Sequence, residues 1–164
     1  MEKVKRYFNT EGICRPGYHY MVNIDNRLKQ IKESFVDRGK YFVINRGRQY
    51  GKTTMLQLLA DDLKDEYIVV FMDFQEISSA DFRNEEAFSK VFAKIYVRAC
   101  REQQTDGVEM LTEPLCHFIE EEKCAALQEL FVKLSKGCGD SWKKIVLIID
   151  EIDSAGNNQV KILN

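Results

Sequence analysis

The sequence predicts an α/β domain in three layers, with helices packed against a parallel sheet. Three apolar runs have the length and the β-branched and aromatic content of buried strands, and they occupy residues 41–44, 67–74 and 145–149. Helical patterns separate these runs along the chain. Because strands and helices alternate, we expect the strands to lie parallel in one sheet.

The turn after the first of these runs has the pattern of a phosphate-binding loop. Residues 46–54 read Arg-Gly-Arg-Gln-Tyr-Gly-Lys-Thr-Thr, and an apolar helical pattern begins at Met55. A strand, a turn that ends in Gly-Lys-Thr and a helix form the context that such a loop requires. Helix N-terminal N–H groups and the helix dipole both attract an anion. The candidate nucleotide-binding residues are Arg46, Gly47, Arg48, Gln49, Tyr50, Gly51, Lys52, Thr53 and Thr54.

Three residues of this loop have separate roles. Gly51 lets the backbone approach phosphate oxygens, Lys52 places a positive charge at the β- and γ-phosphates, and the Thr53 hydroxyl is a candidate Mg²⁺ ligand. Arg46 stands where the usual spacing has a first glycine. Either Gly47 takes the unusual φ, or the turn starts with a different shape. The alternative interpretation is an ordinary strand–helix turn with a solvated Lys52.

The apolar run 145–149 ends in an acidic pair, Asp150 and Glu151. Five consecutive aliphatic residues without alternation predict a strand that is covered on both faces. In nucleotide hydrolases, one carboxylate at such a strand end holds Mg²⁺ and a second polarises the attacking water. We assign the metal role, with Thr53, to Asp150 and the catalytic role, with Lys52, to Glu151. The alternative is that the acidic pair only marks the return of the chain to solvent.

Composition narrows the class of protein. The chain has 164 residues, enough for one cored domain, with 45% hydrophobic and 30% charged residues, as in soluble globular proteins. A net charge of −2 argues against broad nucleic-acid binding. No apolar run has the length of a membrane span or of a signal segment, so we expect a cytoplasmic protein without a membrane partner. Five scattered cysteines without a Cys-x-x-Cys pair indicate reduced thiols.

Helical periodicity and capping residues define the remaining elements. Gly39 is the expected end of the first helix and Asn84 the expected start of a long one, while Gly137 and Gly139 bound the last helix before the acidic run. Residues 1–22 form a lead-in and residues 23–164 the domain. The predicted helices lie at residues 23–38, 52–66, from 84, 111–119, 123–136 and from 159, with a loop at 154–158.

Together these motifs resemble the AAA-like ATPases of bacteria and archaea, relatives of the AAA+ and STAND groups, and among them the family called AAA-ATPase-like. The resemblance is carried by His-Tyr-Met-Val at 19–22 ahead of a helix, by residues 44–54, and by Ile-Asp-Glu-Ile-Asp at 149–153. Loops of that family commonly read Arg-x-Arg-x-aromatic-Gly-Lys. The resemblance therefore implies that Arg46 is a family trait, whereas Gly47 stands where Pro or Ala is more usual.

The resemblance implies a P-loop NTPase fold with a Walker A loop and a Walker B strand, ATP and Mg²⁺ as ligands, and hydrolysis of ATP to ADP and phosphate. It also implies that residues 20–22 flank the adenine, although plain packing of an N-terminal arm is an equal alternative. ATP is expected rather than GTP, because the guanine-reading pattern Asn-Lys-x-Asp is absent from the sequence.

The resemblance covers residues 1–160, yet only the early part of a complete ATPase domain. A strand with a polar sensor residue, a final core strand and an arginine finger would lie beyond Asn164. We therefore expect a domain that is incomplete after the acidic strand, in which run 145–149 joins the P-loop strand, drives self-association or leaves the chain partly molten. The functional alternatives are an ATPase, a nucleotide-sensing switch or assembly module without significant turnover, and an inactive fragment.

Overall fold

The computed structural model describes residues 5–10, 12–45, 50–75, 77–78, 80–120 and 126–152, which form a mixed fold of helices and strands. They group into two compact units, Met1–Leu63 and Lys64–Asn164. None of the helices in these ranges has the length and apolar character needed to cross a membrane. The elements in chain order are α1 (Asp25–Ile31) with a π-helical extension (Lys32–Val36), α2 (Lys52–Leu63), β1 (Ile68–Asp73), α3 (Glu85–Glu102), α4 (Val108–Glu120), α5 (Leu127–Gly139) and β2 (Ile145–Asp150).

The second unit is built on a parallel pair of strands. β1 and β2 run in the same direction and in register, from Ile68 opposite Ile145 to Asp73 opposite Asp150. The predicted strands at 67–74 and 145–149 are therefore confirmed, and so is their parallel direction. The long connection through three helices supplies the crossover that parallel pairing requires.

Helical cover of this pair is uneven. Ile68, Val70 and Met72 on β1 are at most 2% exposed, and α3 packs on this strand. Leu147 shares their face by register but is 40% exposed on β2. The prediction that run 145–149 is covered on both faces is therefore wrong for its centre, because α3 lies over β1.

The predicted strand at residues 41–44 is not present. This segment has no strand partner among the described residues, and the side chains of Tyr41 and Val43 lie in solvent. The Phe42 ring instead packs on Phe35, with ring centroids 5.1 Å apart. A strand needs a neighbour for its backbone N–H and C=O groups. Without one, this apolar run is not part of a sheet.

Two predicted helix boundaries are confirmed by their capping geometry. Gly39 has φ +61°, and the Lys40 N–H donates to the Phe35 carbonyl at 2.9 Å, which closes the π-helical extension of α1. The Asn84 side chain accepts the Ala87 N–H at 2.8 Å and so caps the N-terminus of α3. The α2, α4 and α5 helices lie where predicted, with ends shifted by a few residues; the loop at 154–158 and the helix from 159 lie outside the described residues.

Gly137 has a different role from the predicted one. The α5 helix continues through Gly137 to Gly139, and a Cβ at position 137 would lie 3.4 Å from the Met110 carbonyl oxygen of α4. Pro114 lies four residues after Met110 and has no N–H to donate to that carbonyl. Gly137 therefore makes room for α5 against the carbonyl that Pro114 leaves without its helical donor.

The outer edge of β1 is closed by one side chain. The Gln103 amide, just after α3, accepts the Phe71 N–H at 3.1 Å and donates to the Phe71 carbonyl at 2.7 Å. Both backbone groups of Phe71 point away from β2, so Gln103 satisfies them as a neighbouring strand would. This side chain also anchors the end of α3 to the sheet.

We predict that Gln103→Ala lowers the free energy of unfolding by about 1–2 kcal/mol, because two hydrogen bonds to the strand edge are lost. Urea unfolding followed by far-UV circular dichroism measures the change. Gln128→Ala on the exposed face of α5 is the matched control and should stay within about 0.5 kcal/mol of wild type. Equal stability of the two variants would contradict the edge-closing role.

Two buried ionisable groups on α3 make the second unit sensitive to alkali. Burial raises the pKa of the Cys100 thiol to about 11, although its hydrogen bond with Tyr96 acts in the opposite direction. Burial also raises the pKa of Tyr96 far above its usual value, with a further contribution from Cys100. The four cysteines in the described ranges (Cys14, Cys100, Cys116 and Cys138) are free thiols, as the sequence predicted for them.

We predict that stability falls as pH rises from about 9 to about 11. The unfolded chain loses the Cys100 proton near its ordinary pKa, whereas the folded chain keeps it, so rising pH favours unfolding in this window. One proton contributes at most about 1.4 kcal/mol per pH unit. Urea unfolding of wild type and Cys100→Ala at several pH values should show a shallower pH slope for the variant between pH 9 and 10. Identical slopes would contradict the prediction.

Candidate functional site

The N-terminal end of α2 begins directly after a glycine with a left-handed backbone. Gly51 has φ +71°, a left-handed conformation that residues with a Cβ disfavour, and apart from its chain neighbours no atom of the described residues lies within 4 Å of a Cβ built there. Lys52 is the first residue of the helix, and the Met55 N–H donates to the Gly51 carbonyl at 2.9 Å. The chain thus enters α2 through a left-handed residue at the positive end of the helix.

The first turn of α2 is bonded through Thr54 to the N-terminal segment, the described residues before α1. The Thr54 hydroxyl accepts the backbone N–H of Cys14 at 3.3 Å, which ties the N-terminal segment to α2. This contact joins residues 40 positions apart, and no sequence pattern indicates it. Arg46, Gly47, Arg48 and Gln49 lie outside the described residues.

The N-terminal segment is held together by hydrogen bonds and ring contacts among its own residues. Tyr7 and His19 form a parallel bridge, with the Tyr7 N–H donating to the Tyr18 carbonyl and the Tyr20 N–H to the Tyr7 carbonyl, both at 3.0 Å. The buried His19 ring accepts the Arg15 N–H at 2.8 Å through Nδ1, so it has a structural role. Tyr20 is exposed and packs on Phe8, with centroids 4.9 Å apart. The role of residues 20–22 beside the adenine stays a prediction.

The acidic end of β2 is ordered by its own backbone. Asp150 is 5% exposed; one carboxylate oxygen accepts the Glu151 N–H at 2.9 Å, and its carbonyl accepts the Phe74 N–H at 3.1 Å. Glu151 is half-buried and has φ +54°, which is strained for a residue with a side chain. The chain therefore leaves the strand in a sharp bend at Glu151, and the Asp150 carboxylate holds that bend.

A third carboxylate at this edge was missed by the sequence analysis. Asp73 ends β1 directly opposite Asp150, and one of its carboxylate oxygens accepts the Gln75 N–H at 2.8 Å. The available signal was an Asp near the end of each run, Asp73 within 67–74 and Asp150 directly after 145–149, since the carboxyl ends of parallel strands meet at one edge. Within the described ranges, no three His, Cys, Asp or Glu side chains are placed to hold a metal ion.

The predicted site residues are divided between the two units of the chain. Gly51, Lys52, Thr53 and Thr54 belong to the first unit, whereas Asp150 and Glu151 belong to the second. No protein-family model, curated protein or solved structure matches this chain. A functional assignment consequently depends on the residues and their local geometry.

Proposed function

We propose that this chain binds Mg-ATP at the N-terminal end of α2, as an AAA-like P-loop domain that hydrolyses ATP in its complete form. The observation that carries the proposal is a left-handed Gly51 followed at once by Lys52, Thr53 and Thr54 at the start of a 12-residue helix. This order places a mobile positive charge, hydroxyl oxygens and helix N–H groups around one point.

At the phosphate end of the proposed site, Lys52 provides the charge and α2 the N–H donors. Without a Cβ at Gly51, and with no atom of the described residues at the position that a Cβ would take except those of its chain neighbours, phosphate oxygens can come close to the backbone there. The Thr53 hydroxyl is a hard oxygen donor of the type that Mg²⁺ prefers. When bound, Mg²⁺ would offset the negative charge of the β- and γ-phosphates.

The acidic residues of the proposal, Asp150 and Glu151 of the second unit, have different environments. Asp150 is buried and held by the Glu151 N–H, which suits a fixed carboxylate that orients a hydrated metal ion. Glu151 follows the bend and remains half-buried, which suits a carboxylate that accepts a proton from water. We therefore keep the metal role for Asp150 and the base role for Glu151 in a three-layer P-loop architecture.

One observation favours a second candidate, a nucleotide-sensing switch or assembly module without significant turnover. The segment at 41–45, which leads into the loop, has no strand partner among the described residues. A loop entered from an unpaired segment can bind phosphate through α2, yet it lacks the rigid support that positions groups for hydrolysis. Turnover measurements separate the two candidates, and binding without turnover in wild type would favour the second.

We predict that Mg-ATP binds more tightly than Mg-GTP and that Lys52→Ala weakens ATP binding at least tenfold, since a phosphate-facing charge is removed. Isothermal titration calorimetry or a fluorescent-nucleotide titration measures both. The matched control is Lys40→Ala, which removes an exposed lysine from the same unit. ATP affinity that is the same for wild type and Lys52→Ala would overturn the proposed function.

We also predict that Glu151→Gln preserves ATP binding and lowers any turnover by roughly a hundredfold or more, the usual scale for a lost general base. Asp150→Ala should instead weaken ATP binding only when Mg²⁺ is present. Parallel titrations with Mg²⁺ and with EDTA, together with a phosphate-release assay, resolve these effects. Identical behaviour of the two variants would show that the division of roles is wrong.

A further inference from the structure

We propose that protonation of the His19 ring releases the N-terminal segment from α2. While the ring is neutral, it holds the turn that presents the Cys14 N–H to the Thr54 hydroxyl. Once the ring is charged, it can no longer hold that turn. The proposal goes beyond nucleotide binding and does not depend on it, and it is built on contacts between described residues of the first unit.

The direction of the hydrogen bond at His19 defines the charge of its ring. The Arg15 N–H lies 2.8 Å from Nδ1 of the ring, and a backbone N–H can only donate. Nδ1 must therefore offer a lone pair, so the ring is neutral and carries its hydrogen on Nε2. An imidazolium has a hydrogen on both nitrogens and no lone pair to offer. This bond consequently exists only with the neutral ring.

The same ring closes a turn of the backbone. The His19 N–H donates to the Arg15 carbonyl at 3.1 Å, so His19 binds both the N–H and the C=O of Arg15. His19 is only 8% exposed, which limits the access of water to the Arg15 N–H as a replacement acceptor. After protonation, two N–H groups face each other at this point and repel, so the turn opens.

This turn is coupled to α2 through the next residue of the chain. Cys14 directly precedes Arg15, and its N–H donates to the Thr54 hydroxyl at 3.3 Å. Two successive N–H groups are thus accepted by side chains, one of the segment itself and one of α2. The contact with Thr54 is at the long end of the hydrogen-bond range and is the weaker of the two. Because a turn that opens at Arg15 also moves Cys14, this weaker contact breaks with it.

The ionisable groups around the ring offer no counter-charge for a second proton. Tyr7, across the bridge, is the titratable group in contact with it, with ring centroids 4.8 Å apart and planes at 81°. Arg15 is the charged residue of the turn, and Lys52 is the charged residue on the first turn of α2; both are cations. In the ranges that the structure describes, no carboxylate forms an ion pair with His19. The protonated ring therefore gains no new partner that would keep the turn closed.

The histidine content of the chain supplies a matched control. The sequence has two histidines, and the other one, His117, is exposed on α4 in the second unit. Imidazole is the side chain that ordinarily changes charge between about pH 5 and pH 8. Asparagine is the appropriate replacement at both positions, because its Oδ1 occupies the bonded position of Nδ1 and accepts a hydrogen bond without taking up a proton.

NMR of the whole chain from about pH 8 to about pH 5 tests the proposal, with ring signals for the two histidines and exchange rates for the backbone amides. Protection is expressed relative to an unstructured peptide at the same pH. We expect the Cys14 and Arg15 amides to lose protection roughly tenfold as His19 takes up its proton, because a partly buried N–H loses its acceptor. His117→Asn should show the same loss, whereas His19→Asn should keep nearly constant protection.

Four outcomes would overturn the proposal. They are constant protection in wild type, an equal loss in wild type and His19→Asn, a loss at Arg15 that does not extend to Cys14, and a simultaneous loss at Leu59 in the buried face of α2, which would indicate general acid unfolding. If His19→Asn leaves the segment unprotected at every pH, wild type decides alone. The midpoint of the amide loss must then coincide with the ring titration of His19, and a midpoint that follows His117 instead would overturn the proposal.

Discussion

The in-register parallel pairing of β1 with β2 is the interaction on which the second unit depends. It joins two segments that are separated by three helices, and it decides which backbone groups are satisfied within the pair. The same pairing sets Asp73 beside Asp150 at one end and leaves a row of outward backbone groups along β2. Since α3 packs on β1, the apolar core forms over that strand and becomes thinner toward β2. The position of the two aspartates, the uneven core and the outward backbone groups of β2 are thus consequences of a single register.

Sequence patterns predicted correctly those elements that depend only on residues close together in the chain. The Asn84 cap, the left-handed Gly39 and the aliphatic run 145–149 each act within a few residues, and the structure has them where the sequence indicates. Run 41–44 has the composition of a strand, yet strand formation requires a partner that no local pattern encodes. The prediction that Gly137 bounds the last helix was wrong for a related reason. The role of Gly137 depends on the α4 carbonyl that it faces, whereas the sequence shows only a residue that commonly ends helices.

The candidate site shows the same division between local and distant information. The Gly51-Lys52 turn and the Asp150-Glu151 pair are sequence motifs, and both lie at element ends as predicted. The Thr54–Cys14 contact and the Asp73–Asp150 pairing depend on the tertiary fold. The sequence does not specify the contact, and it does not specify the strand register that sets the two aspartates opposite each other. The left-handed backbone at Glu151 is also a tertiary result, because nothing in an Asp-Glu pair specifies it. That bend fixes the direction in which the Glu151 side chain leaves the strand.

The closure of the β1 edge by Gln103 gives the protein a chemical vulnerability. The amide works because one side chain carries both a donor and an acceptor, matched to the carbonyl and the N–H of Phe71. Slow deamidation, the spontaneous hydrolysis of an amide during storage, converts Gln to Glu and removes the donor. A carboxylate would then face the Phe71 carbonyl oxygen at a contact that is now 2.7 Å long, and the two oxygens would repel each other. An aged preparation would therefore lose the contact that covers the β1 edge at Phe71, with no change in the sequence that was encoded.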